Sequence, residues 1–212
     1  MLTFAFVTEG ITDQAVLENI LYGIFGDEIK IKPLTPLMSA GNKPDGGWER
    51  LFGYCQSEKF RDFLRSEYCT GDEFIIVQID TDTAEHPNFG VAINRPPIEI
   101  IADVKQLIVQ KIGNDFYQQY QAQILIAVAV HSTECWLLPL YVSGKMGEQV
   151  MNCHDRLSRA LNKKGDDASK NHQNYERLSK DFRNNETLLK AAKRNESLND
   201  FVTQLQNVTV PS

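Results

Sequence analysis

The chain has 212 residues, which is enough for one domain with a sizeable core, or for one domain with an appendage. Its 42% apolar and 24% charged residues are usual for a soluble globular protein, and the net charge of −6 neither favours nor excludes a nucleic-acid partner. The apolar run 124–130 is too short to cross a membrane, and the first residues lack the basic region and cleavage site of a signal peptide. We therefore expect a cytoplasmic protein without a membrane partner.

The four cysteines are expected to be reduced in that compartment. They are Cys55, Cys69, Cys135 and Cys153, and no pair of them has the spacing of zinc ligands. The simplest interpretation is that they are small buried apolar side chains.

Charge is distributed unevenly along the chain. Residues 155–194 contain eleven lysines and arginines against six acidic residues, whereas residues 1–154 contain eleven basic residues against twenty acidic ones. The basic segment is either a surface that follows a phosphate backbone or an ordinary solvated helical face.

Apolar, β-branched runs predict strands, and segments with helical periodicity lie between them. The predicted strands are 2–8, 29–34, 74–79 and 124–130. The predicted helices are 15–25, 48–64, 98–112, 175–182, 187–192 and 198–205. Thr12 is the expected N-cap of the first helix. Strands that alternate with helices predict an α/β protein in which a mostly parallel sheet lies between two helical layers, followed by a helical C-terminal extension.

Acidic residues stand at three of the predicted strand ends. Asp80 and Asp82 follow the third strand, and residues i and i+2 of an extended chain point to the same side. Glu9 follows the first strand and Glu134 follows the fourth. If the strands are parallel neighbours, the four carboxylates converge where open α/β sheets bind ligands. Such oxygen ligands suit one or two Mg²⁺ or Mn²⁺ ions, which bridge to substrate phosphates.

A purely structural interpretation of the same residues stays open. Asp80 and Asp82 can begin a loop and cap a helix, while Glu9 and Glu134 can stabilise helix N-termini. His131 is either close to the metal or a hydrogen-bonded core histidine.

Residues 7–13 (VTEGITD) and 79–82 (IDTD) resemble the signature of the Toprim (topoisomerase–primase) domain. In that signature one strand ends in Glu-Gly and a later strand ends in Asp-x-Asp. The Thr-Glu-Gly-x-Thr-Asp form is similar to the overcoming-lysogenization-defect (OLD) nucleases. Residues 131–139 (HSTECWLLP) resemble a segment of stand-alone bacterial Toprim-like proteins that are often encoded beside ATPases in defence loci.

The resemblance implies a Toprim-like, Rossmann-like three-layer fold. It also implies a Mg²⁺-dependent nuclease that hydrolyses phosphodiester bonds of nucleic acid, DNA in preference to RNA, in phage defence or DNA processing. In such a site Glu9 is the general acid/base, and Asp80 and Asp82 hold Mg²⁺. Glu134 is then an additional ligand or an orienting group, and an ATPase encoded nearby is an expected partner.

Further expectations concern contacts and boundaries. Gly10 and Thr12, together with Lys163 and Lys164 of the basic segment, are candidates for contacts to phosphate or to the nucleic-acid backbone. Residues 1–145 are expected to form the Toprim-like domain. The stretch between the two acidic motifs is longer than a minimal Toprim core, so an insertion is expected at about residues 35–66. Residues 146–212 are expected to form the helical extension, packed on the same domain.

Two other functions stay open. The chain can be a non-catalytic Toprim-like subunit that binds a partner ATPase, and the charge of −6 agrees with that hypothesis. Residues 80–83 (DTDT) also match the Asp-x-Asp-x-Thr motif of haloacid-dehalogenase-like phosphatases, in which the first Asp is the nucleophile. In that family the motif opens the domain, whereas here it follows the third predicted strand, and no later strand ends in a second acidic motif.

Overall fold

The computed structural model describes residues 1–37, 46–66, 71–145, 150–163 and 165–208. Its strands are β1 (Thr3–Thr8), β2 (Lys30–Thr35), β3 (Glu73–Asp80) and β4 (Ile124–Ala129). They form one sheet in the order β2-β1-β3-β4, and every neighbouring pair is parallel. The predicted α/β fold with a parallel central sheet is therefore confirmed, and each predicted strand lies within one residue of its expected ends.

Helices cover both faces of the sheet. They are α1 (Ile11–Phe25), α2 (Trp48–Cys55), α3 (Glu58–Arg65), α4 (Pro97–Ile112), α5 (Asn114–Tyr120), α6 (Glu134–Tyr141), α7 (Cys153–Asn162), α8 (His172–Leu178), α9 (Asn185–Ala192) and α10 (Glu196–Gln206). Short 3₁₀ segments lie at Gln121–Gln123 and Lys180–Arg183.

Three helix predictions need correction, and α6 was not predicted. The helix expected at 175–182 is α8 (His172–Leu178) followed by the 3₁₀ segment Lys180–Arg183. The single helix expected at 48–64 is two helices, because Ser57 turns back and its hydroxyl donates to the carbonyl of Tyr54. Helix α1 begins at Ile11 with Gly10 as its N-cap, so Thr12 lies inside the first turn and is not the cap. Helix α6 begins at Glu134, in a stretch whose continuous apolar run had no helical periodicity to reveal it.

Alternate strand residues divide the interior into two cores, as the period of two in a strand requires. On β1, Phe4 and Phe6 belong to the core beneath α1 and the C-terminal helices. Ala5 and Val7 belong to the opposite core, which α2 to α5 cover. These are the three layers of a Rossmann-like arrangement.

The C-terminal helices lie on the same face as α1. Gly23 of α1 comes so close to the 3₁₀ segment that an added Cβ would stand 2.0 Å from the carbonyl oxygen of Phe182. On α10, the side-chain amide of Gln204 donates to the carbonyl of Ile126 at 2.9 Å and accepts from its N–H at 3.0 Å. This contact satisfies backbone groups at the edge strand β4, which would otherwise be open to pairing with another chain. None of the described helices has the length and apolar character needed to cross a bilayer.

The order of the strands places a topological switch point between β1 and β3. The connection from β1 through α1 leads to β2 on one side, and all later connections lead to β3 and β4 on the other side. Helices α2 and α3, which lie within residues 46–66 of the expected insertion, form the crossover from β2 to β3. Ligands of open α/β sheets bind outside the carboxyl ends of the strands at such a point.

Candidate functional site

Glu9 and Asp80 meet at this switch point. Asp80 is the last residue of β3, and Glu9 directly follows β1, the neighbouring strand. The backbone N–H of Asp80 donates to Oε2 of Glu9 at 3.1 Å, and the backbone N–H of Glu9 donates to Oε1 of Gln78 at 3.3 Å. Glu9 and Asp80, 71 residues apart in the sequence, are thus in direct contact.

Three donors converge on Oδ1 of Asp80. They are Nε2 of Gln78 at 2.9 Å, the backbone N–H of Thr133 at 3.2 Å and the hydroxyl of Thr133 at 3.0 Å. Gln78 and Asp80 share one face of β3, because they are two residues apart in a strand. These contacts fix the carboxyl group of Asp80 against the turn that precedes α6.

Asp13 is a member of the site that sequence analysis missed. It is buried in the first turn of α1, and its Oδ1 accepts from the hydroxyl of Thr133 at 2.6 Å. That hydroxyl is also 3.0 Å from Oδ1 of Asp80, and its single proton can go to only one of the two carboxylates at a time. The available signal was the segment 9–13 itself, since a short turn and one helical turn bring Asp13 back to the strand end.

The pKa values of these three acids are raised. Burial, and then repulsion from Asp13, raises the pKa of Glu9 to about 8. Burial raises the pKa of Asp13 to about 6, against the hydrogen bond from Thr133, and the charge of Glu134 adds to the rise. Burial, followed by the charges of Asp13 and Glu9, raises the pKa of Asp80 well above its ordinary value. Near neutral pH this group must hold protons or a cation, because like charges so close disfavour full ionisation.

Asp82 lies at the border of the site. Strand β3 ends at Asp80, and the chain then turns, so that the side chain of Asp82 is exposed rather than stacked below Asp80. Its negative charge nevertheless contributes to the raised pKa of Glu9 and of Asp80. The expectation that the two aspartates point to the same side of an extended strand is therefore wrong: Asp80 is partly buried and hydrogen-bonded, and Asp82 faces solvent.

Glu134 does not follow β4 directly but is the first residue of α6, and its charge is already balanced. Nζ of Lys170 is 2.8 Å from its Oε1, and the hydroxyl of Tyr175 donates to the same oxygen. Burial alone would raise the pKa of Glu134, but Lys170 and the hydrogen bonds outweigh it and lower the pKa to about 2. Its negative charge contributes in turn to the raised pKa of Asp13 and Asp80, so it borders the same site.

Carboxylate oxygens are the ligands that Mg²⁺ and Mn²⁺ prefer, and the donor set at the switch point fits such an ion chemically. Glu9, Asp13 and Asp80 would hold it, with Asp82 at the solvent side. A close group of three potential metal ligands is found elsewhere among the described residues. It consists of His131, Cys135 and Cys153, whose ligand atoms all lie within 4.8 Å of one another. The four acids Glu9, Asp80, Asp82 and Glu134 thus do not form a closed cage, and a cation would have to draw them together.

The expectation of reduced thiols is wrong for two of the four cysteines. Cys135 at the start of α6 and Cys153 at the start of α7 form a disulfide, with their Cα atoms 5.0 Å apart. Cys55 is free and buried in the opposite core, as predicted. Cys69 lies outside the described residues.

The predicted phosphate contacts fall in two places. Gly10 and Thr12 stand beside the acidic site, as the N-cap and second residue of α1, and both are partly exposed. Lys163 lies at the end of α7 and lines a separate groove of about 850 Å³ together with Arg156 and Arg159. None of the acidic site residues lines that groove. Lys164 is outside the part of the chain that the structure describes.

The loop before α2 contacts the site through its backbone. The N–H of Gly47 donates to the carbonyl of Glu9 at 2.8 Å. A Cβ added to the neighbouring Gly46 would lie 2.3 Å from the same carbonyl oxygen, so this close approach requires glycine. The backbone of Glu9 is therefore bound at both polar groups: its N–H donates to Gln78, and its carbonyl accepts from Gly47.

Chemically, this arrangement combines acids with different proton affinities at an open sheet edge. Glu9 gains and loses a proton near neutral pH, while Asp80 is fixed by hydrogen bonds and Glu134 stays ionised. Comparison with protein-family models, with curated proteins and with solved structures finds no match to this chain.

Proposed function

We propose that the protein is a Mg²⁺-dependent phosphoryl-transfer enzyme that hydrolyses phosphodiester bonds of nucleic acid. The observation that carries the proposal is the contact of Glu9 with Asp80, beside Asp13, at the switch point of a parallel sheet. Acids buried together without an ion pair to a described residue are a stability cost, and such costs are concentrated at functional sites.

A divalent cation bound there would neutralise the carboxylates and polarise a phosphoryl oxygen. Asp80 is suited to hold it, because three donors already orient its Oδ1 and leave Oδ2 for another partner. Asp82 faces solvent at the same edge and can approach an ion that arrives with its water shell.

Glu9 is suited to move a proton. Its pKa of about 8 places its proton exchange near physiological pH, which is the range in which a general acid or base is most effective. Residue Glu9 is partly exposed at the open edge of the sheet, where an attacking water or a leaving oxygen could approach it.

Nucleic acid is the proposed substrate on two grounds. The resemblance of residues 7–13 and 79–82 to the Toprim signature is the first. The second is the basic segment 155–194, which supplies Arg156, Arg159 and Lys163, along with Asp155, to the lining of a groove. A duplex or single strand held by such a surface would bind with a strong dependence on salt concentration.

The test is cleavage of labelled DNA and RNA, with Mg²⁺, Mn²⁺ or EDTA, by the parent protein and by Glu9→Gln and Asp80→Asn. We expect metal-dependent cleavage by the parent and a loss of about 10²-fold to 10⁴-fold in either variant. Asp115→Asn, which changes an exposed aspartate on α5, is the matched control and should cleave like the parent. Equal cleavage by all four proteins would contradict the proposal, and turnover of a small phosphomonoester alone would support the phosphatase alternative instead.

A further inference from the structure

A second cluster of potential ligands lies beyond the acidic site, at the junction of β4, α6 and α7. One ligand atom each from His131, Cys135 and Cys153 lies within 4.8 Å of the other two. His131 and Cys135 stand close together in the sequence, whereas Cys153 follows Cys135 at a separation of 18 residues and is brought to it by the fold. The sequence alone gives no reason to pair Cys153 with Cys135, so it did not reveal this group.

The backbone of His131 is held firmly in place. It has φ of 68°, a left-handed conformation that is uncommon outside glycine. Its N–H donates to the hydroxyl of Thr81 at 2.7 Å, and its carbonyl accepts from the N–H of Thr81 at 3.0 Å. A residue fixed in this way at a costly backbone angle is a common feature of functional sites.

The cluster is buried but has an open side. Cys135 and Cys153 are fully buried, whereas His131 is partly exposed and lines a cavity of about 380 Å³ with Arg95 and Met151. A small ion entering this cavity would meet the imidazole of His131, whereas neither cysteine lines the cavity.

Two thiolates and one imidazole are the donor set typical of zinc. In a tetrahedral site with Zn–S of about 2.3 Å and Zn–N of about 2.0 Å, ligand atoms stand roughly 3.3 to 3.8 Å apart. The histidine nitrogen lies within 4.8 Å of both sulfur atoms, and once the S–S bond is broken the two sulfurs are no longer held at bonding distance and can separate to that spacing.

We propose that His131, Cys135 and Cys153 form a redox-controlled site for one thiophilic divalent cation, Zn²⁺ by the chemistry of its donors. In the oxidised state the sulfur atoms are bonded to each other and bind no ion. An external dithiol reductant breaks the S–S bond: it is oxidised to its own disulfide and supplies two electrons and two protons, which leaves two thiols. Cation binding then releases the two thiol protons, and a water on the cavity side completes the coordination.

This proposal is independent of the proposed nuclease activity. It has one structural link to it, because Thr81, which pairs with the backbone of His131, lies between Asp80 and Asp82. A change in the position of His131 would therefore be transmitted to the chain between the two aspartates.

The experiment uses the full chain with Cys55→Ser and Cys69→Ser, so that thiolate signals come only from the remaining pair. The protein is reduced with a phosphine, freed of reductant without oxygen and titrated with Co²⁺, followed by Zn²⁺. We expect one equivalent of Co²⁺ to produce sulfur-to-cobalt charge-transfer absorption and the visible bands of tetrahedral Co²⁺, and Zn²⁺ to remove both. The oxidised protein should show neither. Absence of charge-transfer absorption in the reduced protein would overturn the proposal.

His131→Asn is the decisive variant, because asparagine tolerates the left-handed backbone while it removes the imidazole. We expect it to weaken Co²⁺ binding by more than the roughly tenfold to hundredfold that the loss of an outer-shell partner costs. His154→Asn is the matched control: this histidine is adjacent to Cys153 in sequence but outside the cluster, and its ring faces the carbonyl of Ala168. Equal affinity in the parent and His131→Asn, or equal weakening by both variants, would remove His131 from the site.

Discussion

At the carboxyl edge of the sheet, Glu134 lies near a second set of acids that includes Glu9 and Asp80. The negative charge of Glu134 is balanced by neighbouring groups, whereas the charges of the second set are not. Glu134 lies between the ammonium group of Lys170 and the hydroxyl of Tyr175, and its pKa is lowered to about 2. Glu9 and Asp80 form no ion pair with any residue that the structure describes, and their pKa values are raised. Both sets are built from acids at the ends of apolar segments, so the difference comes from their partners.

This difference indicates which carboxylates are suited to bind a cation. The C-terminal helical part supplies both partners of Glu134, so this charge already stabilises the packing of that part on the sheet. Glu9, Asp13 and Asp80 instead repel one another, and the charge of Lys170 offsets this repulsion only in part, so that a proton or an added cation would relieve the rest. A cation-binding role therefore fits the second set much better than the first.

The largest effect is expected for Asp80→Asn, which should lower the activity and raise the stability. Asparagine keeps an oxygen for the donors on Gln78 and Thr133 but removes one of the repelling charges. We expect cleavage to fall by about 10²-fold to 10⁴-fold, while the free energy of unfolding in EDTA at pH 8 rises above that of the parent. Urea unfolding measured beside the cleavage assay tests both. A variant that is both inactive and clearly less stable would show that Asp80 is a structural residue.

The next effect is the pH dependence of stability without metal. Glu9 has a pKa of about 8 in the folded protein against 4.5 for the ordinary group, so the folded state binds more protons than the unfolded state between these values. By linkage, the free energy of unfolding falls as pH rises from about 4.5 through about 8, and the full shift corresponds to roughly 4 to 5 kcal/mol.

Mg²⁺ should reverse this loss, since it replaces the protons. We expect the stabilisation by Mg²⁺, measured as the shift of the urea midpoint, to be small near pH 5 and largest above pH 8. The same titration in Asp80→Asn should show a much weaker metal effect. A metal effect that is independent of pH would mean that the ion binds elsewhere.

The sequence was informative where local rules decide the outcome. The continuous apolar, β-branched runs of β1 and β3 and the helical periodicity of α4 predicted these elements within one or two residues. The acidic ends Glu9 and Asp80 were expected at one edge of the sheet, and the strand order places them in contact.

Tertiary contacts decided the rest. Asp13 was missed, because nothing in the sequence predicts that Thr133 donates to it across 120 residues. Glu134 was expected to be a ligand, and only the position of Lys170 in the C-terminal part reveals that its charge is already balanced. The pairing of Cys135 with Cys153 likewise depends on how α7 packs against α6.

A smaller effect is expected in the loop that holds Glu9. Gly46→Ala would place a Cβ 2.3 Å from the carbonyl oxygen of Glu9, so the loop or the strand end must move, at a cost of roughly 1 to 3 kcal/mol. Gly53→Ala in α2 is the matched control, because its Cβ would meet nothing within 4 Å and should stabilise the helix by about 0.5 to 1 kcal/mol. If urea unfolding shows that Gly46→Ala lowers the free energy of unfolding and Gly53→Ala raises it, and if only Gly46→Ala reduces cleavage, this loop supports the site of Glu9 and Asp80.

The smallest expected effect concerns the balanced acid. A double-mutant cycle with Glu134→Gln and Lys170→Met measures their coupling free energy, which we expect to be about 1 kcal/mol because Lys170 is 57% exposed and solvent screens the pair. The pKa of Glu134 is lowered from 4.5 to about 2, so this contribution is complete above about pH 4.5 and disappears as the pH falls through about 2.

The exposed i,i+4 pair of Glu186 with Lys190 on α9 is the reference for this cycle and should couple more weakly than Glu134 and Lys170. If Glu134 and Lys170 couple no more strongly than that pair, the lysine does not balance the buried charge. Glu134 would then carry an unbalanced charge, as Glu9 and Asp80 do, and it would again be a candidate ligand for a cation.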